Sequence, residues 1–436
     1  DVNNNAKNPV INFRSFGEDK YNVTTKGSAY MRGMQDHRIL ACGKHFPGHG
    51  DTDVDSHKDL PVIMHDRTRL NDIELYPFHE LMREGLGSVM VAHLSIPVLD
   101  PTNNLPSTLS SPIIKKLLKD SLGFEGMVFT DALNMEGVAK YYAPGEVDLK
   151  AYQAGNDVLL FSLNVKKGIE LIKRAVDEEE ITEEEIDASV KKMLHLKYWA
   201  GLDKERYVKL AGLTEDLNHV QAQLLNRKLV EASLTVIRNE EEILPLKGLD
   251  SLKIVSVTID ELEKVPFNNR LSSYTDVDHI LVSDKMESGE LLSWLEEHNL
   301  VILNVTGLSQ YAYRNFGLSE AKINLINEII ENKSVILVWH GNPYGLEKIG
   351  SFDQAKAVII SYQENANTFD LTAQLIFGGI SVNGKLPVSI NPDFPAGTGM
   401  EIKGNIRLGY TIPEEVGLDG NYLNSKLDSM ARYTLD

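Results

Sequence analysis

The 436-residue sequence predicts an α/β protein. It reads as an incomplete TIM-type (β/α)8 barrel over residues 1–202, followed by a three-layer α/β sandwich over residues 229–402. Three observations predict this. Short apolar runs alternate with amphipathic stretches of helical period in both halves, the pattern of parallel sheet with crossover helices. Successive runs in the first half each end in ionisable residues: Lys44-His45, then His93, then Asp131. The rhythm stops near residue 203 and restarts with new strands near residue 229.

In the first half, strands are expected at residues 39–43, 88–92, 127–130 and 157–161. Helices are expected over 70–84, 111–122, 146–154, 167–176 and 183–196. Ser111-Pro112 has the form of an N-cap followed by proline in the first turn. Thr182-Glu183-Glu184-Glu185 has the spacing of a capping box. An apolar strand finishing in one ionisable residue marks a barrel whose active site gathers at the strands' C-terminal ends. Each end also has a bland reading, a satisfied core histidine for His93 and a helix cap for Asp131. Three in succession weaken the joint bland reading. A full barrel takes about 250 residues, so two or so βα units are expected before Asp1.

Residues 203–228 read as a helical connection without chemistry. Beyond it, strands are expected at 234–237, 253–258, 279–282, 301–305, 334–339 and 357–361, and helices at 288–297, 319–332 and 368–377. No Gly-x-Gly-x-x-Gly or Walker pattern follows these strands, so nucleotide binding has little support. His340, Asn342 and Glu364 fall at strand ends, where capping and loop satisfaction are favoured over a role in a cleft. Residues 403–436 read as a linker and the start of a possible further domain, with Leu423, Leu427, Met430 and Ala431 on one face of a helix.

A formal charge of −19 argues against nucleic acid and anionic membrane surfaces as partners. The hydrophobic fraction of 42% and charged fraction of 25% are those of an ordinary globular protein. Cys42 is the single cysteine, which excludes an internal disulfide and a cysteine zinc cluster. No apolar run is long enough to span a bilayer.

The chemistry concentrates in Lys44-His45-Phe46-Pro47-Gly48-His49-Gly50-Asp51-Thr52-Asp53-Val54-Asp55-Ser56-His57. Pro47, Gly48 and Gly50 exclude a helix and a central strand. A long polar loop after a buried strand is where enzymes carry chemistry. A calcium loop fails, because Ser56 and Val62 stand where glycine and glutamate are required. A transition-metal site from His45, His49, Asp51 and His57 has suitable residue types but no standard spacing. Asp55 with His57 forms an Asp-x-His pattern, in which a carboxylate orients an acid/base imidazole. A solvated polar loop is the bland reading, and residue types alone leave it open beside these last two.

Lys44-His45-Phe46-Pro47-Gly48-His49-Gly50 followed by Asp55-Ser56-His57 resembles the signature of family-3 glycoside hydrolases, in their β-N-acetylglucosaminidase branch. Asn8-Pro9-Val10-Ile11, Arg14-Ser15-Phe16-Gly17, Ala92-His93 and Phe129-Thr130-Asp131-Ala132-Leu133 are similar to the same branch in order and spacing. The similarity runs on through Gly378-Gly379, Asn383-Gly384-Lys385-Leu386-Pro387-Val388 and Phe394-Pro395 to about residue 402. The β-glucosidase branch has a related Lys-His pair but lacks the Asp-Ser-His loop. The resemblance implies Asp131 as nucleophile, His57 as general acid/base and Asp55 as its orienting partner. It implies Arg14, Lys44 and His45 as ligands of the sugar, with His93 facing the same site.

The implied activity is retaining exo-hydrolysis of terminal β-linked N-acetylglucosamine, with a muropeptide or chitooligosaccharide as substrate and neither metal nor cofactor. A neutral imidazole repels an anion less than a carboxylate does, so phosphorolysis stays open. A metal-dependent hydrolase built on the histidine-rich loop is the other alternative. In this branch further sugar contacts come from early barrel strands, which are expected before Asp1. Pro413-Glu414-Glu415-Val416-Gly417-Leu418 looks similar to the start of a serine β-lactamase-like domain, without its Ser-x-x-Lys motif. Such a tail favours the cell envelope over the cytoplasm.

Overall fold

The computed structural model describes residues 1–55, 59–204, 207–259, 266–282 and 288–435. They form two compact units, Asp1–Tyr207 and Val208–Asp436.

The first unit is built on a parallel three-stranded sheet, β1 (Cys42–Phe46), β2 (Ser88–Val91) and β3 (Met127–Thr130), in that spatial order. β2 and β3 pair without a slip, with Ser88 opposite Met127 and Val91 opposite Thr130. β1 follows β2 until Lys44 faces Met90, then skips His45, so that Phe46 faces Val91. A bulge of this kind re-aims side chains and is common beside active sites. The ladder starts later than the apolar run suggests, and Lys44 and His45 lie within it. The expected strand at 157–161 is reduced to a bridge between Phe129 and Val158. There the amide of Thr130 donates to the Val158 carbonyl at 3.0 Å, and the Thr130 hydroxyl accepts from the amide of Leu160 at 2.8 Å.

Phe46, Val89, Val91 and Val128 share a core with Phe78, Ile113, Ile114, Leu117 and Leu118. The rings of Phe46 and Phe78 meet edge to face with centroids 5.4 Å apart. Burying a side chain of this size stabilises by about 1.5–3 kcal/mol. The helix expected over residues 70–84 is interrupted. A wide π turn, Leu70–Glu74, separates a short turn, Arg67–Arg69, from the helix Tyr76–Arg83. Ser111 is already helical and Ser110 does the capping, its Oγ accepting from the amide of Ile113 at 3.3 Å. The capping box at Thr182 forms as expected, with reciprocal bonds of 3.2 and 3.0 Å to Glu185.

Among its described residues the second unit holds six strands: β4 (Thr235–Asn239), β5 (Ile254–Ile259), β6 (Val277–Val282), β7 (Leu300–Val305), β8 (Val335–Trp339) and β9 (Ala357–Ile360). Their spatial order is β4-β9-β8-β7-β5-β6, all parallel except β4, which runs antiparallel to β9. Side chains alternate across a sheet. Ile254, Leu300, Ile302, Ile336, Val338 and Ile359 pack on one face with Phe267, Leu271, Phe369 and Leu375. Val255, Val257, Val301, Leu303 and Leu337 point the other way and are equally buried. Both faces are covered, which makes three layers. No helix among the described residues is long and apolar enough to cross a membrane.

His340, Asn342 and Glu364 each hydrogen-bond within the second unit. His340 Nδ1 meets Ser361 Oγ at 2.6 Å and Nε2 meets Asn304 Oδ1 at 2.7 Å. Asn342 accepts from the amide of Tyr344 at 3.1 Å, and Glu364 from that of Leu308 at 3.0 Å. Burial pushes the pKa of His340 down to about 3, whereas an unfolded histidine titrates near 6.5. Between those values the unfolded chain binds a proton that the folded chain refuses. The stability carried by neutral His340 is therefore present above about pH 6.5 and is lost as pH falls towards 3. Lowering pH from 6.5 to 4.5 should cost roughly 2 kcal/mol at this site. Urea midpoints measured across that range should show a shallower slope in His340→Gln than in the parent. Equal slopes would remove His340 from the acid response.

Candidate functional site

The site is assembled at the C-terminal ends of β1, β2 and β3. At β1 the strand buries His45 and leaves Lys44 exposed. Asp1 fixes the imidazole. Its carboxylate accepts from His45 Nδ1 at 2.8 Å, and from the amides of His45 and His49 at 3.1 and 2.9 Å. A carboxylate can only accept, so Nδ1 carries the proton and Nε2 presents a lone pair. Burial drives the pKa of His45 down to about 3, against the pull of Asp131 and with the help of Lys44 and Arg14. The ring is neutral at pH 7. His49 stands edge-on to it at 5.8 Å, its Nδ1 meeting Thr52 Oγ1 at 2.8 Å. Burial lowers the pKa of His49 to about 4.

Asn8 joins the upstream segment to this turn. Its Nδ2 donates to the His49 carbonyl at 2.8 Å, while Oδ1 accepts from the amides of Val10 and Ile11 at 2.9 and 2.7 Å. The bend so formed leads to Arg14. Arg14 and Lys44 line an open cavity of about 370 Å³, with Asp1 beside them and Met31, Met34 and Phe78 along its apolar wall.

Asp131 follows β3 and is half-buried. Its amide donates to the Val91 carbonyl at 2.9 Å, and its Oδ1 accepts from the amide of Ala132 at 2.8 Å. Asp131 is not among the residues lining the cavity. It stands on one side of β2, bonded to Val91, while Lys44 stands on the other side, opposite Met90. His93 departs from expectation. It is fully buried, Nε2 donating to the Ala132 carbonyl at 3.0 Å and Nδ1 meeting Thr108 Oγ1 at 2.6 Å. Both ring nitrogens are engaged by protein, so His93 braces the peptide after Asp131.

Asp55 is half-buried, and its carbonyl accepts from the amide of Asp59 at 3.1 Å. Asp59 is held by Lys140 Nζ at 2.7 Å and the Tyr141 hydroxyl at 3.3 Å. The Lys140 hydrogen bond keeps its carboxyl below the usual range. His57 lies outside the described residues.

Among the described residues, neither His45 nor His49 joins Asp51 in a set of potential metal donors. Asp51 instead lies with His65 and Glu74, their donor atoms within 4.8 Å of one another. Arg69 Nη2 reaches Asp51 at 3.4 Å and Glu74 at 3.1 Å. The guanidinium is already the cation of that cluster. The sequence signals neither Asp1 nor this cluster, although Glu74 on the apolar side of a helix would have been a clue.

Residues 1–196 match the glycosyl hydrolase family 3 N terminal domain. Beta-hexosaminidase A of Pseudoalteromonas piscicida is 26% identical over 440 residues, covering 90% of this chain and 72% of that protein. A beta-hexosaminidase of Nitrosospira multiformis is 37% identical over 159 residues, 36% of this chain and 45% of that one. The solved structure of a glycoside hydrolase family 3 beta-N-acetylglucosaminidase from Paenibacillus sp. str. FPU-7 superposes with a TM-score of 0.72 at 31% identity, covering 90% of this chain and 75% of that one. The barrel part and the α/β sandwich are therefore the two parts of that family's fold. Matched along three-quarters of a known member, and through the family's own N-terminal domain, this chain belongs to glycoside hydrolase family 3.

Proposed function

We propose that the chain is a retaining exo-β-N-acetylglucosaminidase, acting on terminal β-linked N-acetylglucosamine of peptidoglycan fragments or related glycans. One observation carries this reading: Lys44 and His45 in β1 and Asp131 just after β3 stand at the same end of one parallel sheet, with Lys44 and Arg14 lining the cavity there. The names of the relatives, beta-hexosaminidase and beta-N-acetylglucosaminidase, support the substrate class.

Retention needs a nucleophile on one side of the anomeric carbon and a proton donor towards the other. Asp131 is the nucleophile, set on a strand end and oriented by the Ala132 amide. Its carboxylate attacks the anomeric carbon, the glycosidic bond breaks, and the departing oxygen takes a proton from His57, which Asp55 orients. Neutral His57 then deprotonates water. The water attacks the glycosyl ester and frees both the sugar and Asp131. Lys44 and Arg14 donate to sugar oxygens, while Nε2 of His45 accepts from a hydroxyl. That last contact requires the neutral ring that burial enforces.

A fluorinated aryl N-acetylglucosaminide that slows ester hydrolysis tests this directly. Mass spectrometry should find one sugar on the peptide containing Asp131. A sugar mapped to Asp55 instead, or a burst of aglycone with no labelled peptide, would overturn the assignment.

A further inference from the structure

The turn that follows β1 is gripped from two sides. Asp1 and Asn8 hold its front through His45 and His49. Its back rests on Glu74. A Cβ on Gly48 would lie 2.6 Å from Glu74 Cβ, so the chain there lies directly on that side chain. Glu74 ends the wide turn Leu70–Glu74, where the amide of Leu75 donates to the carbonyl of Leu70 at 2.8 Å. π turns of this kind recur at functional sites. Glu74 is 2% exposed, and burial raises its carboxyl against the pull of Arg69. Arg69 links Glu74 to Asp51, and His65 Nε2 donates to the same Asp51 oxygen at 2.7 Å.

We propose that His65 is a positioning residue for the reaction: with Arg69 and Glu74 it anchors Asp51, and so fixes where the segment carrying Asp55 leaves the β1 turn. This rests on the function proposed above. Asp51 lies in the chain between the sugar ligands Lys44 and His45 and the orienting carboxylate Asp55, so its placement links binding to proton transfer. His65 is a suitable residue to test because its side chain is 31% exposed, at the rim of this cluster rather than in its core. Its effect should fall on protonation of the leaving group. A nitrophenolate departs with little protonation, whereas a sugar alcohol departs only when protonated.

The test uses the full protein with two substrates, nitrophenyl β-N-acetylglucosaminide and the β-linked N-acetylglucosamine disaccharide. His65→Leu should lower kcat on the disaccharide about tenfold or more, leaving KM and the nitrophenyl rate within about threefold. His65→Gln, whose amide nitrogen stands near the place of Nε2, should restore the disaccharide rate to within about threefold of the parent. Equal losses on both substrates, no loss on either, or failure of His65→Gln to restore turnover would overturn the proposal. If the parent turns over neither substrate, the proposed function fails, and hydrogen exchange then decides the anchor by itself. Faster exchange at residues 52–55 in His65→Leu supports the anchor, and unchanged exchange overturns it.

Discussion

Asp131→Ala should reduce release of nitrophenol from an aryl β-N-acetylglucosaminide by about four orders of magnitude or more, with KM little changed. The covalent route has no substitute for this carboxylate. Asp55 is the other carboxylate in the proposed mechanism, where its role is to orient the imidazole. The loss should be chemical rather than structural. Asp131 is half-buried at a strand end, its backbone is held by Val91, and its side chain accepts the amide of Ala132. Leaving that amide without its partner costs about 1 kcal/mol, which shifts the melting temperature of a unit this size by a few degrees, about 2–4 °C. Azide enters the space left by the missing carboxylate in such variants. It should restore aglycone release and give the inverted α-glycosyl azide. Turnover by Asp131→Ala within tenfold of the parent, without azide, would end the assignment.

The sequence marks this part of the site well because strand ends are local signals. An apolar run stops, an ionisable residue follows, and the parallel sheet does the rest. Lys44, His45 and Asp131 are legible for that reason. The start of β1 is not, because apolarity does not mark an edge strand. Cys42 and Lys44 are exposed although they lie in the ladder, while the apolar run begins before it. The helix Lys20–Asp36 escapes notice for a related reason. It buries only Val23, Ser28 and Met31, and Gly27, Gly33, Thr24 and Thr25 weaken its helical signal. The antiparallel course of β4 is invisible because its apolar run has the composition of its parallel neighbours.

The supporting residues are illegible for a different reason. Asp1 and His45 are separated by 44 residues, and a contact at that distance leaves no period in the chain. Glu74 sits on the apolar side of a stretch that reads as one amphipathic helix. Its packing partner lies far back in the chain, at Gly48, and no local pattern announces that contact. His93 has the opposite history. Its strand-end position suggests a sugar ligand, but Thr108 and Ala132 close on both of its nitrogens.

Gly50→Ala should lower kcat/KM about a hundredfold and destabilise the first unit by about 1–3 kcal/mol. The reason is space rather than backbone conformation. An added Cβ would stand 1.7 Å from the carbonyl oxygen of Val2, 2.5 Å from its carbon and 3.2 Å from Asn3 Cα. All three are backbone atoms, so no side chain can turn away. The facing segment is also held, since Val2 and Asn3 are buried and the amide of Asn3 donates to the Gly17 carbonyl at 2.9 Å. The two backbones must part, and the bonds that bridge them lie on either side of the breach. Asp1 would lose its reach to the amides of His45 and His49, and Asn8 its bond to the His49 carbonyl. Freed from Asp1, the His45 ring no longer has a fixed tautomer, and Nε2 no longer points a lone pair at the sugar. Gly33→Ala is the matching control. An added Cβ there meets nothing within 4 Å, and the site is helical, so it should stabilise by about 0.5–1 kcal/mol and leave turnover alone. Melting temperatures and kcat/KM for the two variants separate a general intolerance of added methyl groups from a specific contact. Parent-like kcat/KM in Gly50→Ala would show that the grip of Asp1 on the turn is not what presents His45.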